Sequence, residues 1–167
     1  MRYFIGLGAN VGDRLTNLRE AVRRLEALGT IVARSRVYAA SAVGGPPQAP
    51  YLNAAVLLEC ELDPLALLNR TQEIEDALGR DRPNEVRWGP RTLDLDLLMA
   101  GARGEVIVDQ PMLRLPHPRM KERGFALAPL IDLDATLLHP DLLRPLKALL
   151  SAAHAAGQAW APTGDTL

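Results

Sequence analysis

The stretch from Thr92 to Ala100, TLDLDLLMA, is the sequence feature that most restricts the fold. Side chains at alternate positions of a β-strand project from the same face, so Asp94 and Asp96 share one face and the leucines between them occupy the other. The two carboxylates would lie about 6–7 Å apart and repel each other, and a carboxylate is costly to remove from water unless it is paired. The face that carries them is therefore either open to solvent or occupied by a cation.

Hydrophobic periodicity and turn residues divide the rest of the chain into strands and helices. Apolar runs bounded by glycine, proline and polar residues predict strands over 2–10, 30–41, 51–62 and 92–100. Helical spacing and capping residues predict helices over 12–29 and 63–79, and two more are expected at 126–132 and near 141–156. The resulting order, βαββαβ with additional C-terminal helices, predicts an α+β, ferredoxin-like sandwich.

Length, charge and cysteine content restrict the class of protein. A chain of 167 residues is most simply a single domain over 1–167, with residues 158–167 expected to be a frayed tail. A net charge of −1 gives no general attraction to nucleic acid or to an anionic membrane, and no segment has the roughly 20 apolar residues of a membrane span. The single cysteine, Cys60, lies in an apolar run and excludes a disulfide framework. We therefore expect a cytoplasmic protein.

Basic residues surround the paired aspartates in the sequence. Of the 19 basic residues 17 are arginine, a side chain suited to bidentate phosphate binding. Mg²⁺ favours one or two carboxylates together with ligand phosphates, so this combination is typical of phosphoryl transfer, whereas surface salt bridges are the alternative for any single arginine. The basic residues nearest to the pair are Arg80, Arg82, Arg87, Arg91, Arg119, Lys121 and Arg123.

The N-terminal glycines do not form a dinucleotide-binding fingerprint. Gly6, Gly8 and Gly12 give G-x-G-x-x-x-G, which is one residue longer than the Rossmann pattern, and no phosphate-binding P-loop sequence is present. A turn, or a loop that lets a flat ligand approach the backbone, explains these glycines better.

Aromatic residues are few, at 4% of the chain, yet Tyr51, Trp88 and Phe125 fall in or beside the candidate site segments. A flat heteroaromatic ligand could stack on such rings, although core packing is the alternative for each. Gln72 and Glu75 share a face of the second predicted helix, and His117 stands alone between prolines. Without further context these three residues are more often structural than functional.

Three segments in this order and spacing, YLNAAV, RWGPRTLDLDLL and LPHPRMKERGF, resemble the 6-hydroxymethyl-7,8-dihydropterin pyrophosphokinase family of folate biosynthesis. The resemblance runs from GLGANVGDR to GFALAPL and covers about three quarters of the chain. It implies a small ferredoxin-like enzyme that moves the β,γ-pyrophosphate of ATP to the hydroxymethyl group of a reduced pterin and releases AMP. It also implies two Mg²⁺ ions, ATP as co-substrate and a monomer as the expected state.

The same resemblance implies roles for individual residues. Asp94 and Asp96 would hold the metal ions and, with Arg80 and Arg91, form the catalytic group. The nucleotide-binding positions would be Gln72, Glu75, Arg82, Arg87, Trp88, His117 and Arg123. The pterin-binding positions would be Val43, Tyr51, Asn53, Trp88 and Phe125.

Two departures from the family pattern affect these expectations. Residues 39–42 read AASA where many relatives carry a threonine and prolines, and Pro118 and Arg119 replace a tyrosine and an acid found in some members. The glycine- and proline-containing loops at 42–50 and 80–90 are expected to close over the ligands and exclude water, since ATP hydrolysis is the competing reaction.

Alternative functions remain open from the residues alone. Another Mg²⁺-dependent phosphoryl transferase would use the same charges but form ADP instead of AMP. A ferredoxin-like nucleic-acid-binding module would need aromatic residues on its central strands and a basic face, which the acidic strand and the slightly negative charge do not provide. A non-catalytic regulatory domain would leave the aspartate pair unexplained.

Overall fold

The structure of the protein is a computed structural model that describes residues 1–42, 45–84, 86 and 89–167. Ten strands are present in these ranges: β1 (Arg2–Ala9), β2 (Thr30–Arg34), β3 (Tyr38–Ala40), β4 (Tyr51–Glu59), β5 (Asp94–Ala100), β6 (Val108–Gln110), β7 (Leu113–Leu115), β8 (Leu138–His139), β9 (Arg144–Pro145) and β10 (Trp160–Pro162). The same ranges contain four α-helices: α1 (Arg14–Glu26), α2 (Pro64–Ala77), α3 (Gly124–Leu133) and α4 (Leu146–Ala155).

A six-stranded antiparallel sheet organises the molecule. The strand order is β10-β3-β4-β1-β5, and β2 pairs with β4 as well. Two short hairpins, β6-β7 and β8-β9, lie outside this sheet. The α+β, ferredoxin-like class predicted from the sequence is confirmed.

Side chains alternate along each strand, so both faces of the sheet carry apolar residues, and helices cover both faces. Tyr3, Ile5 and Leu7 of β1 join the buried cluster that contains the core residues of α1 and α2. Phe4 and Leu98 point to the opposite face and join the cluster formed with α3 and α4. The two C-terminal helices therefore fill the second face over only part of its length.

The helix starts follow the local capping signals. Asp63 caps α2, since its Oδ1 accepts the Ala66 amide at 2.9 Å, and Pro64 occupies the first helical position. Asp13 caps α1 in the same way, through the Thr16 amide at 3.1 Å. Helix α1 therefore begins at Arg14, two residues later than the predicted start.

The strand predicted over 30–41 is interrupted, and this prediction is wrong. Ser35 donates its amide to the Ala55 carbonyl at 2.9 Å, and its hydroxyl accepts the Ala55 amide at 2.8 Å. A side-chain oxygen thus replaces the backbone carbonyl that would continue the ladder. The segment forms β2 and β3, which both pair with β4 on either side of the break.

The C-terminal residues are not frayed, which corrects a second prediction. Trp160–Pro162 form β10, which pairs with Tyr38–Ala40, and the Thr163 amide donates to the Val37 carbonyl at 3.0 Å. These partners lie more than a hundred positions away in the sequence. Local polarity alone could not indicate them.

Strand β5 shows the alternation that the sequence predicts. Leu95 and Leu97 are buried against the α1 and α2 side, whereas Asp94 and Asp96 lie on the opposite face and are half-buried. Leu98 on that second face is covered by the α3 and α4 cluster, whereas Asp94 and Asp96 on the same face line a cavity. None of the helices in the described ranges is both long and apolar enough to span a membrane.

Candidate active site

The uncovered part of the sheet face forms a cavity of about 380 Å³. Strands β1, β4 and β5 provide its floor, and the segment from His117 to the start of α3 provides one wall. The lining residues predicted from the sequence are Tyr51, Asn53, Arg91, Asp94, Asp96, His117, Arg123 and Phe125.

Two glycines of β1 keep the floor of this cavity flat. Gly6 lies opposite Asp96, and Gly8 lies between Asp94 on one neighbouring strand and Asn53 on the other. A Cβ atom on Gly8 would lie 3.4 Å from Asn53 Oδ1 and would project into the cavity. Gly6 and Gly8 therefore lie in a strand and not in a turn. Because they have no side chains, a flat ligand can approach the backbone of this strand.

Asp94 lies in a pocket of positive charge. Its Oδ1 accepts a hydrogen bond from Arg80 Nη1 at 2.7 Å and is 3.0 Å from Arg91 Nη1. Arg80 follows the end of α2, and Arg91 lies just before β5. Arg80, Arg91 and Asp94 thus form the tightest part of the predicted catalytic group.

Asp96 has much weaker compensation. Among the described residues its nearest cation is Arg123, with Nη1 3.9 Å from Oδ2, and the Asp96 side chain is 36% exposed. Desolvation in the cavity, followed by the neighbouring charge of Asp94, raises the pKa of Asp96 above its ordinary value. A carboxylate pair of this kind is a favourable place for an added cation.

The donor set fits a hard divalent metal ion. Both acids provide oxygen ligands on the cavity side, where one or two carboxylates and ligand phosphates are what Mg²⁺ prefers. Among the described residues no group of three or more His, Cys, Asp or Glu side chains could hold a metal. A metal at this pair would therefore need ligand oxygens in addition.

Glu75 acts behind the cavity and not inside it. The side chain is buried at 2% exposure, and its Oε1 accepts both Arg80 Nη1 and the Leu95 amide at 2.6 Å. Arg82 pairs with Glu75 and Asp76. Burial raises the pKa of Glu75 to about 7, against the opposing effects of the Leu95 amide and Arg80. Through these contacts Glu75 fixes Arg80 and attaches α2 to β5.

His117 is a neutral hydrogen-bond donor at the cavity wall. Burial and the nearby Arg123 lower the pKa of His117 to about 4. Nδ1 accepts the Arg119 amide at 3.2 Å, which leaves the proton on Nε2. The backbone is held as well, because the His117 amide donates to the Leu98 carbonyl at 2.8 Å.

The opposite end of the cavity is less charged. Asn53 is buried, and its Nδ2 atom has no hydrogen-bond partner among the described residues. Tyr51 donates its hydroxyl to the Gly89 carbonyl at 3.1 Å, and Arg123 lies over the ring of Phe125, 5.7 Å from its centroid. An unpaired buried donor beside an aromatic ring suits a planar ligand with polar edges.

The remaining predicted positions are either outside this cavity or outside the described residues. Gln72 is half-buried on α2 and is not among the lining residues, and the guanidinium of Arg82 is directed at Glu75 and Asp76. Val43, Arg87 and Trp88 lie outside the described residues.

Several lining residues were not predicted from the sequence. Arg119 was named only among the basic residues around the acid pair, without a role, and nothing in the spacing of Glu122 distinguishes it from a surface charge. Ser41 and Ala42 follow β3, and their place depends on strand pairing. For Gly6 and Gly8 the sequence did indicate that a flat ligand could approach the backbone, but it assigned them to a turn or loop instead of strand β1.

Asn10 is a further residue that the sequence analysis missed. Its Oδ1 accepts the Arg91 amide at 2.8 Å, and its own amide donates to the Arg91 carbonyl at 3.0 Å. Its Nδ2 donates to Gln48 Oε1 at 2.8 Å and to the Ala49 carbonyl at 3.1 Å. Asn10 thus joins the loop before β4 to the backbone of a predicted catalytic arginine.

Paired carboxylates with arginines around them are typical of proteins that transfer phosphate-containing groups, and the aromatic end of the cavity suits a planar acceptor. The sequence model described as 7,8-dihydro-6-hydroxymethylpterin-pyrophosphokinase (HPPK) matches residues 4–135. The chain belongs to this family, and the family predicted from the sequence is confirmed.

Relatives with similar sequences have consistent names. A Bacillus subtilis protein called 2-amino-4-hydroxy-6-hydroxymethyldihydropteridine pyrophosphokinase is 47% identical over 132 residues, which is 78% of this chain and 76% of that protein. An Aquifex aeolicus protein of the same name is 35% identical over 144 residues, 86% and 87% of the two chains. An Arabidopsis thaliana folate synthesis bifunctional protein is 44% identical over 133 residues, but these are only 27% of its length.

Solved structures share the fold. A crystal structure of a triple variant of Plasmodium falciparum HPPK-DHPS with pterin and p-hydrobenzoate matches with a TM-score of 0.69 at 14% identity. The match covers 93% of this chain and 45% of that chain. At this identity the likeness concerns the fold alone.

Proposed function

We propose that the chain transfers pyrophosphate from ATP to 6-hydroxymethyl-7,8-dihydropterin in the cavity on the open face of the sheet, and releases AMP. The observation that carries this proposal is the position of Asp94 and Asp96. They stand in one cavity with Arg91 and Arg123 on the charged side and Asn53 on the other. A polyphosphate and a flat heterocycle thus have adjacent and chemically different places.

The pterin is proposed to bind between β4 and the start of α3. The unpartnered Nδ2 of Asn53 would donate to an acceptor on the ring edge, which would satisfy a buried group that otherwise costs free energy. Phe125 would contact one face of the ring and Trp88 the other, while Tyr51 and the backbone near Val43 would complete the pocket.

Asp94 and Asp96 are proposed to hold two Mg²⁺ ions. When bound, Mg²⁺ neutralises phosphate oxygens and makes a bound hydroxyl group easier to deprotonate. Arg80 and Arg91 are the residues proposed to stabilise the charge of the pyrophosphoryl group. Because Arg80 is held between Glu75 and Asp94, it keeps one orientation before the nucleotide arrives.

The nucleotide is proposed to lie along the wall formed by His117 and Arg123. The neutral His117 would donate Nε2–H to a phosphate or ribose oxygen, and Arg123 would pair with the phosphates. Gln72, Arg82, Arg87 and Trp88 would complete the nucleotide site. Glu75 would act through Arg80 and not by direct contact. We further propose a cytoplasmic monomer.

The proposal is tested by AMP formation in purified wild-type protein and in Asp96→Asn. We expect AMP that depends on both dihydropterin and Mg²⁺, and a loss of about a hundredfold or more in the variant. Asp109→Asn is the matched control, because Asp109 is an exposed acid of β6 outside the cavity. Pterin-independent nucleotide turnover, or equal activity in wild type and Asp96→Asn, would contradict the proposal.

A further inference from the structure

We propose that the C-terminal segment 158–160 positions Arg123 and Phe125 for ligand binding, so that Gln158 and Trp160 are positioning residues of the active site. The inference rests on the proposed function, since it assumes that ligands occupy this cavity. The family sequence model ends at residue 135, so this segment lies beyond the matched part of the chain.

Gln158 holds the backbone on both sides of Arg123. Its Oε1 accepts the Gly124 amide at 2.9 Å, and its Nε2 donates to the Glu122 carbonyl at 2.7 Å. Gly124 is the first residue of α3, where amides have no partner within the helix, and the preceding Arg123 provides no side-chain cap. Gln158 therefore acts as the cap of α3 from 34 residues away in the sequence.

Trp160 packs directly on the same glycine. A Cβ atom on Gly124 would lie only 2.1 Å from Trp160 Cζ3 and 2.5 Å from Cε3, so the ring occupies the space of a side chain. His154 of α4 meets the ring edge-on, with centroids 5.7 Å apart. The ring is thus held between α4 and the start of α3.

The same segment continues into β10, which pairs with β3. Trp160 is paired with Ala40 and Ala161 with Ala39, at the end of β3. The next residues, Ser41 and Ala42, line the cavity. One short segment thus connects the wall that carries Arg123 and Phe125 with the wall that follows β3.

This arrangement predicts an effect on binding more than on the chemical step. Arg123 and Phe125 flank the glycine that Gln158 and Trp160 hold, and both side chains line the cavity. Asp94, Arg80 and Arg91 are held by separate contacts with one another and with Glu75. Loss of the C-terminal contacts would let Arg123 and Phe125 move, while the contacts that hold Asp94, Arg80 and Arg91 stay in place.

The test is steady-state kinetics of Gln158→Leu, which removes both hydrogen bonds and keeps a similar volume. We expect KM for the dihydropterin to rise roughly tenfold while kcat changes less than about threefold. The matched control is Ser151→Ala, an exposed residue of α4 whose hydroxyl bonds only within its own helix, and its KM should equal that of the wild type.

Trp160→Ala and Trp160→Phe provide a second comparison. The alanine variant should raise KM as Gln158→Leu does, and the phenylalanine variant, which keeps a ring over Gly124, should restore most of the affinity. Partial unfolding would lower kcat in proportion to the folded fraction and leave KM unchanged. That pattern, or an unchanged KM in both Gln158→Leu and Trp160→Ala, would overturn the inference. A wild-type protein without pterin-dependent AMP formation would instead refute the proposed function.

Discussion

Asp94 and Asp96 are the same residue type on the same face of one strand, but arginines compensate their charges to different degrees. Asp94 is paired with Arg80 and Arg91 at 2.7 and 3.0 Å, whereas the nearest cation to Asp96 in the described part of the chain is Arg123, 3.9 Å away. The charge on Asp94 therefore stabilises the folded protein without any bound ligand. Arg123 and Arg91 offset part of the cost of the charge on Asp96, and a bound cation would stabilise that charge further.

This difference predicts opposite effects of the same substitution on stability. Asp94→Asn should lower the free energy of unfolding by about 1–3 kcal/mol, because it removes the charge that faces the buried guanidinium of Arg80. Asp96→Asn should not lower it, because the substitution relieves repulsion with Asp94. Urea unfolding of the wild type and both variants without metal measures the change in the free energy of unfolding. Equal losses of stability in both variants would contradict the different environments assigned to Asp94 and Asp96.

At the scale of elements, long-range polar contacts fix where helices and strands meet. Asp132 of α3 accepts hydrogen bonds from the amide and side chain of Arg36 at 2.8–3.1 Å and from the Tyr38 hydroxyl at 2.8 Å. Burial alone would raise the pKa of Asp132, but the bonds from Arg36 and Tyr38 outweigh it, and the net pKa is lowered. This carboxylate joins α3 to the segment between β2 and β3.

A lowered pKa in the folded state predicts how stability depends on pH. The contribution of Asp132 is complete above the unfolded pKa of about 3.9 and is lost as the pH falls through the lower folded value. Asp132→Asn should therefore cost about 1–3 kcal/mol at pH 7 and progressively less in acid. Urea unfolding from pH 7 down to acid measures the difference in the free energy of unfolding between wild type and Asp132→Asn. Asp141→Asn, at an exposed position, is the control. A loss that is independent of pH would contradict the prediction.

The elements that could be predicted from the sequence are those fixed by local patterns. Alternation gave the face that Asp94 and Asp96 share, and Asp63 followed by proline gave the start of α2. The break at Ser35, the burial of Glu75 and the strand at Trp160 depend on partners 20 to more than a hundred positions away. These contacts form only when the sheet is assembled, so the local periodicity of the sequence does not indicate them.

At the scale of the whole molecule, the cavity is the part of the sheet that the C-terminal helices leave uncovered. Segments from both ends of the chain border it: the glycines of β1 form its floor, and Gln158 and Trp160 hold one wall. Asn10 connects the loop before β4 with the backbone of Arg91. Ligand binding should therefore change the mobility of the loop before β4 and of the loop before β5 together.

Hydrogen exchange can test that the loops at 42–50 and 80–90 close over the ligands. We expect the amides of both loops to exchange more slowly when a non-hydrolysable ATP analogue and dihydropterin are bound, because closure excludes water from the cavity. The β6-β7 hairpin, which is outside the cavity, serves as the internal reference. Equal exchange of both loops with and without ligands would contradict closure.

Counting the phosphates on the pterin product would decide whether this cavity carries out pyrophosphoryl transfer. ATP labelled at both the β and γ positions is incubated with the protein, Mg²⁺ and 6-hydroxymethyl-7,8-dihydropterin, and the pterin and nucleotide products are separated. We expect a pterin that carries both labels and one AMP for each pterin product. A pterin that carries a single phosphate, together with ADP, would show that the aspartate pair serves a different phosphoryl transfer.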